Sequence, residues 1–209
     1  MTQTPGHVLL VGTGAYYDNV RRALQRLGVA TRQVRRRVDL DGLTGLVLPG
    51  GESGVMLRQM RGGGGTDELF APLRELCASG LPVFATCAGL ILLAREVVDP
   101  SQQSFGVLDV TVQRNGYGRQ IASGTFALEG EGLGPDARGT FIRAPRVTRV
   151  GAGVEVLARR GGDPVLLRQG PILAACFHPE LDEGHFATRW FVDSLAAAST
   201  TTTTSATTS

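Results

Sequence analysis

What most constrains this chain is the way its apolar runs end. His7 to Val11 closes on Gly12, Gly45 to Leu48 closes on Pro49-Gly50-Gly51, and Leu81 to Ala85 passes into Thr86-Cys87-Ala88-Gly89. Short apolar runs closed by turn residues and separated by helical patterns are the signature of βα units stacked into a parallel sheet. Between the first two runs, Asp18 is expected to precede a helix through Val20, Leu24 and Leu27, with Gly28 after its last turn and a further strand over Ala30 to Val34. Pro72 suits the first turn of a helix that places Leu73, Leu76 and Cys77 on one face and is closed by Gly80. After Cys87 an apolar helix is expected through Leu90, Leu92, Leu93 and Ala94.

From Phe105 the pattern changes to short strands punctuated by glycine, including Val107 to Val112, Thr140 to Arg143, Val154 to Ala158 and Ile172 to Phe177, before a last helix from about Gly184 through Leu195. Residues 1–195 therefore read as a single α/β domain, a size at which one core suffices. Residues 196–209 contain only Ala, Ser and Thr and are expected to be a disordered tail, with Gly62 to Gly65 a flexible surface loop.

Composition narrows the functional classes. A net charge of +2 with scattered basic residues offers no footprint for nucleic acid. Arg35, Arg36 and Arg37 form one tight basic run, best read as a solvated strand end. No lysine occurs, which excludes Schiff-base and P-loop lysine chemistry. Cys77, Cys87 and Cys176 lack the spacing of a zinc ribbon or a disulfide framework, so no metal is expected and a reducing compartment fits. Neither a signal peptide nor a membrane-length apolar run is visible, so a soluble, cytoplasmic protein is expected, with no membrane partner.

Three strand ends carry residues with chemical potential. Cys87 stands between an apolar strand and a helix, where unpaired N–H groups favour a thiolate and stabilise an oxyanion. In that local context it reads equally as a nucleophile or as a buried core cysteine. His178-Pro179-Glu180 follows the strand at Ile172, and Pro179 stiffens a turn in which Glu180 can orient His178 as a base. Pro49-Gly50-Gly51-Glu52-Ser53-Gly54 leaves a third strand end, where paired glycines let a backbone amide turn toward a substrate oxygen. An ordinary glycine-rich turn explains that stretch as well. Gly12-Thr13-Gly14 lacks the third glycine of a dinucleotide fingerprint, Tyr17 standing there instead, so no such cofactor is expected.

Several stretches taken together resemble the glutaminase subunit of pyridoxal 5′-phosphate synthase. They are Leu48-Pro49-Gly50-Gly51-Glu52-Ser53, Thr86-Cys87-Ala88-Gly89-Leu90, Arg114-Asn115 with Gly118-Arg119-Gln120, Phe141-Ile142-Arg143-Ala144-Pro145, and Cys176-Phe177-His178-Pro179-Glu180-Leu181. The resemblance implies a flavodoxin-like three-layer α/β/α sandwich of the class I glutamine amidotransferase type. It also implies hydrolysis of L-glutamine and delivery of ammonia to a separate synthase subunit, which combines it with a pentose phosphate and a triose phosphate. Carried over residue by residue, Cys87 matches the nucleophile, His178 the base and Glu180 its partner. Gly50, Gly51, Glu52 and Ser53 match the glutamine-binding turn, and Arg114, Ile142 and Arg143 match the rest of the substrate site. Guanidinium groups suit a substrate carboxylate.

The departures cluster. Where the family has Leu-Gln-Gly followed by an acidic residue and a histidine, this chain has Gly12-Thr13-Gly14 and then Asp18-Asn19. Gly54 stands for a threonine, and Gly116-Tyr117 for Ser-Phe. The first-strand loop lies near the glutaminase site and the synthase contact in the family, so coupling to a partner is where this chain is expected to differ. Other readings are a glutaminase for another synthase, such as imidazole glycerol phosphate synthase, a non-catalytic regulatory paralogue, and, more remotely, a cysteine peptidase.

Overall fold

The computed structural model describes residues 7–11, 15–62, 68–117 and 123–204. The first strands and helices alternate as β1 (His7–Val11), α1 (Ala15–Arg26), β2 (Ala30–Val34), β3 (Leu43–Leu48), α2 (Ser53–Met60), α3 (Phe70–Ala78), β4 (Val83–Thr86) and α4 (Ala88–Leu93). Sheet-rich chain follows, with β5 (Ala94–Val98), β6 (Leu108–Gln113), β7 (Gly124–Ala127), β8 (Arg138–Phe141), β9 (Arg146–Val150), β10 (Glu155–Arg160), β11 (Asp163–Gln169) and β12 (Ile172–Ala175), before α5 (Phe186–Thr204).

The main sheet has the order β10-β11-β12-β4-β3-β1-β2. From β12 to β2 every neighbouring pair is parallel, whereas β11 joins β12, and β10 joins β11, antiparallel. Buried parallel strands read as unbroken apolar runs, which is why β3, β4 and β12 were visible without any alternation. Side chains along β3 point to opposite faces in turn. Gly45 abuts Leu195 of α5 while Leu48 abuts Gly89 of α4, so helices cover both faces of the sheet. Phe84 of β4 stacks on Phe191 of α5 with ring centroids 5.3 Å apart, on the same face as Gly45. This is the expected three-layer α/β/α arrangement. Two smaller sheets, β5-β6-β9 and β7-β8, lie outside the main one.

Several boundaries differ from the sequence expectation. Asp18 lies inside the first turn of α1 and does not precede the helix. Helix α2 was not anticipated; Gly54 obscures it, but Glu52 caps it by accepting a hydrogen bond from the Gly54 N–H, and Met56, Leu57 and Met60 are buried. The apolar helix after Cys87 stops at Leu93, and Ala94 opens β5. Residues in this run are buried on all sides, so periodicity carries no information about where helix becomes strand. Helix α5 continues to Thr204, through residues expected to form a tail, because a helix started by packed Phe191 and Leu195 extends at little further cost. Gly28 has φ +77° and follows α1, as its position indicated. The Gly12 to Gly14 and Gly118 to Gln120 stretches, and most of Gly62 to Gly65, lie outside the described residues. Among the described residues no helix is long and apolar enough to cross a membrane.

The start of α5 carries a pH-dependent contact. His185 Nδ1 accepts a hydrogen bond from the Ala187 N–H at 3.1 Å, and its Nε2 donates to the Arg138 carbonyl at 2.8 Å. The bond accepted at Nδ1 requires the neutral ring, whereas the one donated from Nε2 survives protonation. Burial holds the His185 pKa below its ordinary 6.5, against the opposing pull of the Arg138 carbonyl. A depressed folded-state value means the unfolded chain binds the proton more readily, so this stabilisation is complete above 6.5 and is lost as pH falls through the folded value. We expect the melting temperature of His185→Asn to fall less steeply than wild type between about pH 7.5 and pH 5, measured by circular dichroism. Equal slopes would remove His185 as a source of acid sensitivity.

Candidate active site

Strand register brings three separate parts of the sequence to one end of the sheet. Leu48 of β3 pairs with Ala85 of β4, and Thr86 of β4 pairs with Ala175 of β12. The residues that follow these strands, Pro49-Gly50-Gly51, Cys87, and Cys176-Phe177-His178, therefore leave the sheet side by side at its carboxyl edge. That edge is where open α/β sheets bind ligands.

Cys87 sits in a sharp strand-to-helix turn with φ +49° and ψ −101°, and its N–H donates to the Ala175 carbonyl at 2.8 Å. A non-glycine residue in such a conformation costs of order 1–3 kcal/mol, which the surrounding packing must offset. Gly89 makes the turn possible. A Cβ there would lie 1.9 Å from the Leu48 carbonyl oxygen, so only glycine lets α4 rest against β3 this closely. Cys77 and Cys176, in contrast, are core residues whose thiols are pushed up by burial, Cys77 to about 12.

His178 is buried, and its N–H donates to the Thr140 carbonyl at 2.8 Å. Pro179 opens a 3₁₀ turn, Pro179–Leu181, that brings Glu180 back under the ring, where Oε1 meets His178 Nδ1 at 2.8 Å. The other ring nitrogen is left for Cys87. Burial alone pushes the His178 pKa down, but the hydrogen bonds and charges of Cys87 and Glu180 outweigh it and raise the value to about 10. The ring also explains Gly50: a Cβ there would lie 2.4 Å from His178 Cε1.

A cavity of about 220 Å³ opens over Cys87 and His178, lined also by Gly51, Glu52, Ser53, Arg114, Ile142 and Arg143. Gly50 and Glu180 stand behind its wall, both against His178. Gly51 has φ +144° and so turns its peptide in a way other residues rarely adopt. Arg114 Nη2 donates to Glu52 Oε1 at 2.9 Å, across the cavity mouth. Arg143 has φ +43°, and its N–H donates to Ser123 Oγ at 3.2 Å.

The loops that present the two arginines are tied together from behind. Tyr117 and Phe126 each meet Phe141 edge to face, and Phe141 lies 5.6 Å from Phe177, the neighbour of His178. The Arg160 guanidinium lies 3.4 Å from the Phe126 ring centroid and 4.6 Å from that of Phe141. Cation–π contacts of this kind need no hydrogen-bond partner.

Two residues that sequence reasoning did not single out also serve the site. Gln102 Oε1 accepts a hydrogen bond from the buried Ser53 hydroxyl at 2.9 Å, across a loop that carries no motif. Tyr16 stacks on the His178 ring. No local signal marks it, because only the tertiary placement of α1 gives it a role. Among the described residues no group of His, Cys, Asp and Glu is arranged to hold a metal ion.

An open, largely parallel sheet flanked by helices, with a cysteine in a strand-to-helix turn and a His–Glu pair at the adjacent strand end, defines an α/β protein whose sheet edge is chemically equipped for a thiol nucleophile. Comparison with known proteins narrows this. Residues 9–197 match the SNO glutamine amidotransferase family, and the chain belongs to that family. It is 47% identical over 194 residues to the pyridoxal 5′-phosphate synthase subunit PdxT of Frankia casuarinae, covering 90% of this chain and 96% of the relative. With the subunit of the same name from Thermus thermophilus it shares 49% identity over 177 residues, covering 83% and 89% of the two chains. A crystal structure described as a glutamine amidotransferase superposes with a TM-score of 0.81 at 42% identity, covering 90% of this chain and 98% of that one.

Proposed function

We propose that this chain is the glutaminase subunit of a pyridoxal 5′-phosphate synthase, acting in the cytoplasm through one amidotransferase domain over residues 1–195. Its reaction is hydrolysis of L-glutamine to L-glutamate and ammonia, and the ammonia passes to a synthase subunit. The observation that carries the reading is the convergence, in one cavity, of Cys87, His178 and the two arginines, with Glu180 behind the wall 2.8 Å from His178 Nδ1. The names carried by the relatives favour this acceptor over imidazole glycerol phosphate synthase.

His178 takes the Cys87 thiol proton, and the sulfur attacks the side-chain carboxamide carbon of glutamine. The N–H groups of Gly51 and Ala88 stabilise the oxyanion that forms; the helix start leaves such donors without intrahelical partners. The raised basicity of His178 lets it hold the thiol proton at neutral pH, and it then gives that proton to the amide nitrogen as the C–N bond breaks, so that ammonia leaves and the imidazole is free again. Water, activated by the same imidazole, then adds to the thioester, the C–S bond breaks, and glutamate leaves with the thiol restored. Loss of one oxyanion donor costs about 10²- to 10³-fold, so the orientation of the Gly50-Gly51 peptide is a natural control point for a partner to set.

Arg114 and Arg143 take the charged end of glutamine. Hydrogen bonds to charged groups contribute roughly 1.5–3 kcal/mol, so Arg143→Met is expected to raise KM for glutamine about 10- to 100-fold with a smaller change in kcat. The overall test is glutamate release from glutamine by the chain alone and with a pyridoxal 5′-phosphate synthase's synthase subunit. Stimulated release supports the proposal. No release in either condition would favour a non-catalytic regulatory role.

A further inference from the structure

Tyr16 opens the first turn of α1, and its ring lies on that of His178 with centroids 4.6 Å apart and planes inclined by 22°. It also lines the cavity over Cys87. Burial, first, and the Cys87 charge, second, raise its phenol above the ordinary value of 10.0, while Arg143 opposes and Glu180 adds to them. The side chain therefore sits within electrostatic reach of the thiol, the carboxylate and a substrate-binding guanidinium at once.

The other constraints on the His178 ring act elsewhere. Glu180 holds Nδ1, and the Gly50 backbone crowds Cε1. A hydrogen bond at one nitrogen leaves the ring able to tip out of its plane, and a tipped ring no longer aims its other nitrogen at the sulfur. We infer that Tyr16 is a positioning residue whose aromatic face braces the His178 imidazole in its working plane. The stacked face also favours the imidazolium formed after the thiol proton has moved. The phenol hydroxyl has no part in this. The inference rests on the reading of His178 as the catalytic base.

The experiment compares Tyr16→Leu, Tyr16→Ala and Tyr16→Phe in the full chain assayed with its synthase subunit. Leucine keeps most of the volume without the aromatic face, and melting temperatures identify any variant that fails to fold. Small displacements of catalytic groups cost up to about 10²-fold. Tyr16→Leu and Tyr16→Ala are thus expected to lose about 10- to 100-fold in kcat, with KM within about 3-fold of wild type, and phenylalanine to restore the kcat lost in leucine. Alkylation of Cys87 by iodoacetamide should slow in parallel in the leucine variant and recover with phenylalanine. That readout needs no glutamine, so it reports on Tyr16 even if the wild type releases no glutamate, a result that would overturn the proposed function instead. The inference is overturned if the loss falls wholly on KM, which would make Tyr16 a wall of the pocket. It is equally overturned if phenylalanine is as impaired as leucine, or if folded Tyr16→Leu matches wild type in both kcat and alkylation.

Discussion

Cys87→Ala is expected to release no glutamate above background, a fall of about 10⁴-fold or more in kcat/KM, with the fold intact. The substitution removes one sulfur atom and leaves the turn backbone, with φ +49° and its N–H on the Ala175 carbonyl, as demanding for alanine as for cysteine. Melting temperature should therefore stay near that of wild type, and the variant should still bind glutamine through Arg114 and Arg143. Comparing glutamate release and melting curves of the two proteins checks both halves. Equal release would remove Cys87 from the chemistry, and the loss of activity together with the fold would leave its role structural.

The second large effect is on folding. Gly89→Ala places a Cβ 1.9 Å from the Leu48 carbonyl oxygen and 2.9 Å from the Leu48 Cβ. The oxygen belongs to a central strand and cannot swing aside like the end of a flexible side chain, so α4 must move off β3. Overpacking in a close-packed interior typically costs about 1–3 kcal/mol, and a backbone collision belongs at or beyond the top of that range. In a chain of this size each kcal/mol is worth roughly 2–4 °C, giving an expected drop of about 10 °C in melting temperature. Cys87 immediately precedes α4, so residual folded protein should also be impaired in kcat. A variant with unchanged melting and unchanged activity would contradict the packing described for this helix.

The first prediction concerns a residue that the chain displays openly, whereas the second depends on a contact across the fold. The Cys87, His178-Pro179-Glu180 and Gly50-Gly51 segments could each be placed at a strand end, because a buried parallel strand is a short apolar run and a turn residue closes it. Their meeting could be expected but not shown by spacing alone. The register of β12 and β3 against β4 is what brings them together. Helix α2 escaped notice because Gly54 weakens the local helical signal, whereas burial of Met56, Leu57 and Met60 holds the helix in place. Tertiary packing overrides propensity at such positions.

Residues that act through contacts rather than chemistry were harder to see. Gln102 and Tyr16 stand in stretches with no motif, and each serves the site only because a loop or a helix end is folded over it. Gly50 was read as a source of backbone freedom for an oxyanion donor. The structure adds a steric reason, the His178 ring filling the space where a side chain would be.

By itself, then, the amino-acid sequence determined the alternation of strand and helix, the α/β class, and the identity of the groups able to do nucleophilic chemistry, since apolar periodicity and residue type are local properties. Only the tertiary structure decided which of those groups share a cavity, that Tyr16 lies against the His178 ring, and that Gly89 must lack a side chain. Those relations depend on strand register and helix packing between segments far apart in the chain, and no local pattern encodes a distance across the sheet.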